Sequence, residues 1–244
     1  MSTTVAIVSG GSGGIGAATC RTLAAAGHHV LVGYGGNAAG AEAVVGSLED
    51  AGGSGEACHL DVTDEASVAG AVARAAELGT LAVVVNNAGV ADDDLLLRLD
   101  AARFDHTLEV NLRGAFLLSK AAVRPMLRAR NGRIISVGSV VGLRGNTGQT
   151  AYAASKAGLV GFSRSLAHEV ARKGITVNVV APGFVATAMT DQLDDAAREA
   201  LTTQAPTHRA VEPEEVAAAI GFLASPLAAS ITGAVLPVDG GAAM

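Results

Sequence analysis

Short runs of β-branched and other apolar residues recur along the chain: TVAIVS, HVLVG, LAVVVNN, RIISVG, ITVNVVA and AVLPVD. Alanine-rich stretches long enough for helices separate them, and a weaker run, GEACHLDV, falls between HVLVG and LAVVVNN. Such alternation predicts a parallel sheet. The runs are apolar throughout, with no period of two, so both faces of each strand should be covered. The expected fold is therefore α/β, a single Rossmann-like, doubly wound parallel sheet of about seven strands with helices on both faces. No linker, repeat or low-complexity tract interrupts the pattern, so residues 1–244 read as one domain. The least regular stretch runs from Gly183 to Glu212, where Pro206 and polar residues break the alternation. A loop of that length suggests a lid, placed at about 184–212.

Composition narrows the function classes. At 244 residues, 50% hydrophobic and 16% charged, the chain can bury one substantial core. A net charge of −6 with 3% aromatics and no tryptophan argues against nucleic-acid partners and anionic membranes. The N-terminal MSTTVAIVSG has no basic region followed by a long apolar one, and no run is long enough to span a membrane, so a cytoplasmic protein is expected. Cys20 and Cys58 lack metal-type spacing and read as buried, reduced thiols, and the six histidines never fall at i,i+4, so no metal is expected.

Two segments carry candidate chemistry. In VSGGSGGIG, Gly10, Gly14 and Gly16 lie where the first strand should turn into a helix. Glycines allow close backbone approach there, and the helix N-terminus offers free N–H groups to a pyrophosphate, so a dinucleotide site is expected in the half spanning about 1–90. Asp61, beyond the third strand, could accept a hydrogen bond from an adenine amine, while Thr63 or Asp64 could cap the next helix. In QTAYAASKAG, Tyr152 and Lys156 are four residues apart and so share a helix face, at roughly 5–6 Å between Cβ atoms. The pair is either a plain surface contact or acid–base machinery. An ammonium about 4 Å from a phenol, at an effective dielectric near 20, gains roughly 4 kcal/mol by favouring the phenolate. The tyrosine pKa would then fall, making a useful proton donor.

The order of SGGSGGIG, LDVT, NNAG, VNLRG, GRIISVGSVVG, YAASK, ITVNVVAPG, ATAM and VDGG resembles the short-chain dehydrogenase/reductase family over essentially the whole chain, and most closely its 3-oxoacyl-[acyl-carrier-protein] reductases. The resemblance implies a catalytic tetrad of Asn111, Ser139, Tyr152 and Lys156 in the half spanning about 91–244. Tyr152 would be the proton donor, Ser139 would hydrogen-bond the substrate oxygen, Lys156 would hold ribose hydroxyls, and Asn111 would support a water relay ending at Lys156. It also implies a cofactor site built from Gly10, Ser12, Gly13, Gly14, Ile15 and Gly16 at the first turn, and from Asn37, Asp61 and Val62 after the second and third strands. Asn87, Ala88 and Gly89 would continue that site, and Pro182, Gly183, Val185 and Thr187 would complete it beside Tyr152 and Lys156.

No acid follows the second strand, where GYGGN ends at Asn37, so the 2′-phosphate of NADP is not repelled and NADPH is preferred over NADH. Gly13 stands where close relatives of this type carry an arginine, leaving Ser12 and Asn37 to hydrogen-bond the phosphate. Between Glu109 and Glu169 there is no acidic residue but many basic ones, and Arg130 and Lys173 resemble positions that contact an acidic acyl carrier protein. The expected activity is reduction of a carrier-bound 3-oxoacyl thioester in fatty-acid or polyketide assembly. The alternatives are a dehydrogenase or reductase of a free small alcohol or ketone, and a non-catalytic dinucleotide-binding scaffold. The C-terminal EEVAAAIGFLAS and GAVLPVDGG resemble a subunit interface, which implies a homotetramer.

Overall fold

A computed structural model describes residues 3–186, 202–203 and 205–244 of the chain. Its order begins β1 Thr4–Val8, α1 Gly14–Ala25, β2 His29–Tyr34, α2 Ala38–Asp50, β3 Ser54–His59, α3 Glu65–Leu78 and β4 Thr80–Asn86. There follow α4 Ala101–Leu108, a π-helical turn Glu109–Arg113, α5 Gly114–Ala129, β5 Gly132–Val137, α6 Val141–Arg144 and α7 Thr150–Val170. β6 Ile175–Pro182, α8 Pro213–Ala224 and β7 Val235–Val238 complete it. The strands form one parallel sheet in the order β3-β2-β1-β4-β5-β6-β7.

Strand direction explains the unbroken apolar runs. In β1, Ala6 and Val8 enter a cluster with Leu23 of α1, Leu48 of α2 and Ile220 of α8. Val5 and Ile7 point the other way, into a cluster with Val72 of α3, Met126 of α5 and Val170 of α7. Every strand residue that is buried on one face alternates with one buried on the other, so period-two polarity has no place. β3 lies at the sheet edge with both ends exposed, which accounts for its polar, weaker run. Asp64 caps α3 by accepting from the N–H groups of Ala66 and Ser67, and Pro213 opens α8 inside a capping box of Glu212 and Glu215.

Parallel strands bring all their C-terminal ends, and hence the loops after β1, β4, β5 and β6, to one edge of the sheet. The ends of the expected lid segment are pinned there. Val185 and Val211 form a parallel bridge, with Ala186 N–H donating to Val211 O at 2.9 Å and Val211 N–H to Phe184 O at 2.8 Å. Most of the 184–212 lid lies outside the described residues. Cys20 is buried, whereas Cys58, expected to be buried as well, is half-buried on edge strand β3. Among the described residues no helix is long and apolar enough to cross a membrane, and no group of acidic, histidine and cysteine side chains could hold a metal ion.

Candidate active site

The glycine turn after β1 is fixed by contacts that exclude side chains. Gly10 has φ +63° and a Cβ there would press on Ala88 Cα at 3.0 Å, while a Cβ on Gly16 would collide with the Gly10 carbonyl. Asn87 Nδ2 donates to Ser9 O at 3.0 Å and Gly10 O at 2.8 Å, and Ser9 Oγ accepts from the N–H groups of Asn87 and Ala88. The loop after β4 thus braces the turn after β1. α1 begins at Gly14 with no side chain capping it, so its first N–H groups face the cleft unclaimed.

From this turn a cleft of about 750 Å³ runs along the C-terminal edge of the sheet to Ser139, Tyr152 and Lys156. Ser12, Gly13, Ile15, Ala88, Gly89, Pro182, Gly183 and Val185 also line it. Five expected site residues are absent from its walls. Gly16 lies behind the turn and makes its close packing possible. Asn111 sits behind Gly89, and Val62 is buried against Gly114. Asp61 spends Oδ1 on the Thr63 N–H at 2.9 Å and hydroxyl at 2.7 Å, so Thr63 serves Asp61 while Asp64 alone caps the helix. Asn37 caps α2 by accepting from Gly40 N–H at 2.9 Å, beside the Ser12 carbonyl. Thr187 lies outside the described residues.

The four residues of the expected tetrad come from three elements: Ser139, Tyr152 and Lys156 meet at one end of the cleft, and Asn111 stands behind them. Ser139 follows β5, and its Oγ accepts from Val141 N–H at 3.1 Å, which aims the hydroxyl at the cleft. Tyr152 lies in the first turn of α7. Lys156 is one turn on and buried, its Nζ donating to Val137 O at 2.9 Å and standing 5.4 Å from the Tyr152 ring centre. Asn111 occupies the π-helical turn, where its Oδ1 accepts from Val90 N–H at 2.8 Å and its Nδ2 donates to Val90 O at 2.9 Å and Ser155 Oγ at 3.1 Å. A Cβ on Gly89 would lie 3.2 Å from Asn111 Oδ1 and 3.5 Å from Lys156 Nζ, so glycine keeps the space between them open.

The electrostatics depart from expectation. Burial raises the Tyr152 pKa, hydrogen bonding to Ser139 lowers it, and the charge of Asp93 raises it again. The expected fall does not occur, because the Lys156 ammonium is turned toward Val137 O and burial of the phenol dominates. Burial depresses the Lys156 pKa to about 8.

Sequence reasoning missed Asp93, Asn146 and Gln149, which share the cleft wall with Tyr152. Their signal was position: Asp93 closely follows NNAG, and Gln149 immediately precedes the helix bearing Tyr152 and Lys156. The VDGG motif also has a local explanation. Asp239 accepts from Gly241 N–H at 2.9 Å and Ala243 N–H at 2.8 Å, folding the C-terminus against the cleft.

The expected basic zone does not form one patch. Lys156 and Arg133 are buried, and Arg113 pairs with Glu65 and Glu109. Arg130 and Lys173 are both exposed and adjoin each other through Gly174, just ahead of β5 and β6. They therefore lie at the N-terminal edge of the sheet, about 20 Å from Ser139 at roughly 3.3 Å per strand residue.

A nucleotide-sized cleft at the C-terminal edge of a seven-stranded parallel sheet, with Ser139, Tyr152 and Lys156 at one end, defines a dinucleotide-dependent oxidoreductase of the Rossmann type. The chain belongs to the short-chain dehydrogenase/reductase family. The model of the family described as enoyl-(acyl carrier protein) reductase matches residues 10–243. Over 238 residues the chain is 48% identical to the 3-oxoacyl-[acyl-carrier-protein] reductase FabG of Escherichia coli, covering 97% of this chain and 96% of the relative. The FabG of Pseudomonas aeruginosa gives the same identity and coverage. Nodulation protein G of a Rhizobium species is 46% identical over 240 residues, with 98% and 96% covered.

Proposed function

We propose that the protein is a reductase that converts a 3-oxoacyl thioester on acyl carrier protein to the 3-hydroxyacyl product with NADPH, in fatty-acid biosynthesis. The observation that carries this is one continuous cleft joining a dinucleotide-type glycine turn to Ser139, Tyr152 and Lys156. The residues present fit such a cofactor. Gly10 and Gly16 leave no room for side chains, the start of α1 offers free N–H groups, and the strand-end segment Gly35–Gly36–Asn37 carries no acid to repel a 2′-phosphate.

When bound in this cleft, NADPH would supply the hydride. As negative charge grows on the substrate oxygen, the Ser139 hydroxyl donates a hydrogen bond to it and Tyr152, held protonated by burial, delivers the proton. Lys156, charged below about pH 8, can hold ribose hydroxyls and supports reprotonation of Tyr152. Asn111 ties the loop after β4 to α7, and Gly89 leaves the place beside Asn111 Oδ1 and Lys156 Nζ without a side chain, in keeping with a water relay to Lys156.

Two surfaces support a homotetramer. An apolar groove lined by Leu112, Phe116 and Phe162 lies across α5 and α7, and β7 is a half-exposed edge strand beside exposed Phe222 and Leu227. Carrier docking at Arg130 and Lys173 is tied to that assembly, because these residues face away from their own cleft. The family description favours a second reading, reduction of an enoyl double bond. NADPH and NADH oxidation should be followed with acetoacetyl and crotonyl thioesters, on acyl carrier protein and on a small thiol. Turnover of acetoacetyl carrier thioester with NADPH is expected; turnover of crotonyl thioester alone would replace the proposal with the enoyl reading.

A further inference from the structure

The loop between β4 and α4 places three carboxylates in a row, and they are not equivalent. Arg103 grips Asp92 with two donors, Nε to Oδ2 at 2.8 Å and Nη2 to Oδ1, and also reaches Asp94 Oδ2 at 3.3 Å. Arg98 Nε donates to Asp94 Oδ1 at 2.8 Å, and Asp94 N–H donates to Gly148 O at 2.8 Å. The backbone on either side of Asp93 is thereby held, and Asp93 lines the cleft that contains Tyr152 and Ser139. Its partner is an uncharged amide: Gln149 Nε2 donates to Asp93 Oδ2 at 2.7 Å, while Gln149 Oε1 accepts from Asn146 Nδ2 at 2.8 Å. Gln149 immediately precedes α7, and its carbonyl accepts from Ala153 N–H at 2.7 Å, so the carboxylate is anchored to the helix that carries Tyr152.

From this geometry we infer that Asp93 is a specificity-determining residue that turns away free 3-oxo acids and admits their neutral thioesters. The inference rests on the proposed function. The reacting carbonyl must lie between Ser139 and Tyr152, and the acid or thioester group is two bonds away from it. A free carboxylate there meets the exposed Asp93 carboxylate on the wall of the same cleft, and the two like charges repel through partly solvated space. A thioester presents no charge and escapes that repulsion. The Asp93 charge acts on Tyr152 as the smallest of three influences on its pKa, after burial and hydrogen bonding to Ser139, in keeping with the two residues sharing the cleft wall. Rejection by an opposed charge is a standard route to discrimination between substrates of similar shape.

The test compares kcat/KM for acetoacetate and for an acetoacetyl thioester of a small thiol, in the wild type and in Asp93→Asn. The asparagine keeps an oxygen to accept from Gln149 and loses only the charge. The ratio of acid to thioester should rise by about tenfold or more in Asp93→Asn, equivalent to ~1.4 kcal/mol of repulsion removed. It should stay near the wild-type value in Asp93→Glu, which restores the charge. Should Asp93→Asn not fold, Asp93→Ser gives the same readout. An unchanged ratio in the uncharged variant, with thioester still turned over by the wild type, would overturn the inference alone. No thioester turnover by the wild type would overturn the proposed function and this inference together.

Discussion

Tyr152 and Lys156 were legible as a pair from their spacing, but their electrostatic relation was not. An i,i+4 spacing suggests an ammonium lowering the phenol pKa; the fold buries Lys156, half-buries Tyr152 and turns the ammonium to a backbone carbonyl. A tyrosine that keeps its proton at neutral pH suits a reductase. Tyr152→Phe should lower kcat by about 10²- to 10⁴-fold while NADPH still binds, as read by a fluorescence titration beside the turnover assay. Lys156 adds a pH dependence. Burial brings its pKa from 10.5 to about 8, so the free enzyme loses this charge as pH rises through about 8. The kcat/KM for NADPH should therefore fall on the alkaline side of about pH 8, and a flat profile up to pH ~10 would show that the charge does not bind cofactor.

Elements were legible where the apolar pattern was strong. All strands occur where the runs lie, including edge strand β3, whose weak pattern follows from having one strand neighbour and exposed ends. The glycine turn was visible as a motif, yet only packing separates the roles of its glycines. Gly16 presses on Gly10, whereas Gly13 has open space around its Cβ position. Gly13→Arg should therefore fold, and it should raise the NADPH/NADH ratio of kcat/KM severalfold by pairing with the 2′-phosphate; an unchanged ratio would show that position 13 does not read the phosphate. The π-helical turn that carries Asn111 had no sequence signature beyond an asparagine in a helical stretch.

The whole molecule decides what the surface charges mean. A basic interval in sequence became buried, paired and exposed residues once the chain folded, leaving Arg130 and Lys173 together at the edge opposite the cleft. Reversing both charges should raise KM for a carrier-bound 3-oxoacyl thioester far more than for a small-thiol thioester; equal effects would reject docking there. Sedimentation should show a tetramer, and Phe116→Asp, which places a charge in the groove across α5 and α7, should reduce its mass.

The sequence by itself determined the sheet, its two covered faces and the glycine turn, because apolar periodicity and glycine placement are local properties of the chain; the tetrad followed only as what the family resemblance implies. Only the tertiary structure decided that Asp93 and Gln149 stand with Tyr152 in one cleft, that Asn111 hydrogen-bonds Val90 and Ser155, and that Arg130 and Lys173 lie on the far edge. These depend on contacts between segments distant in sequence and on burial, and no local pattern records either.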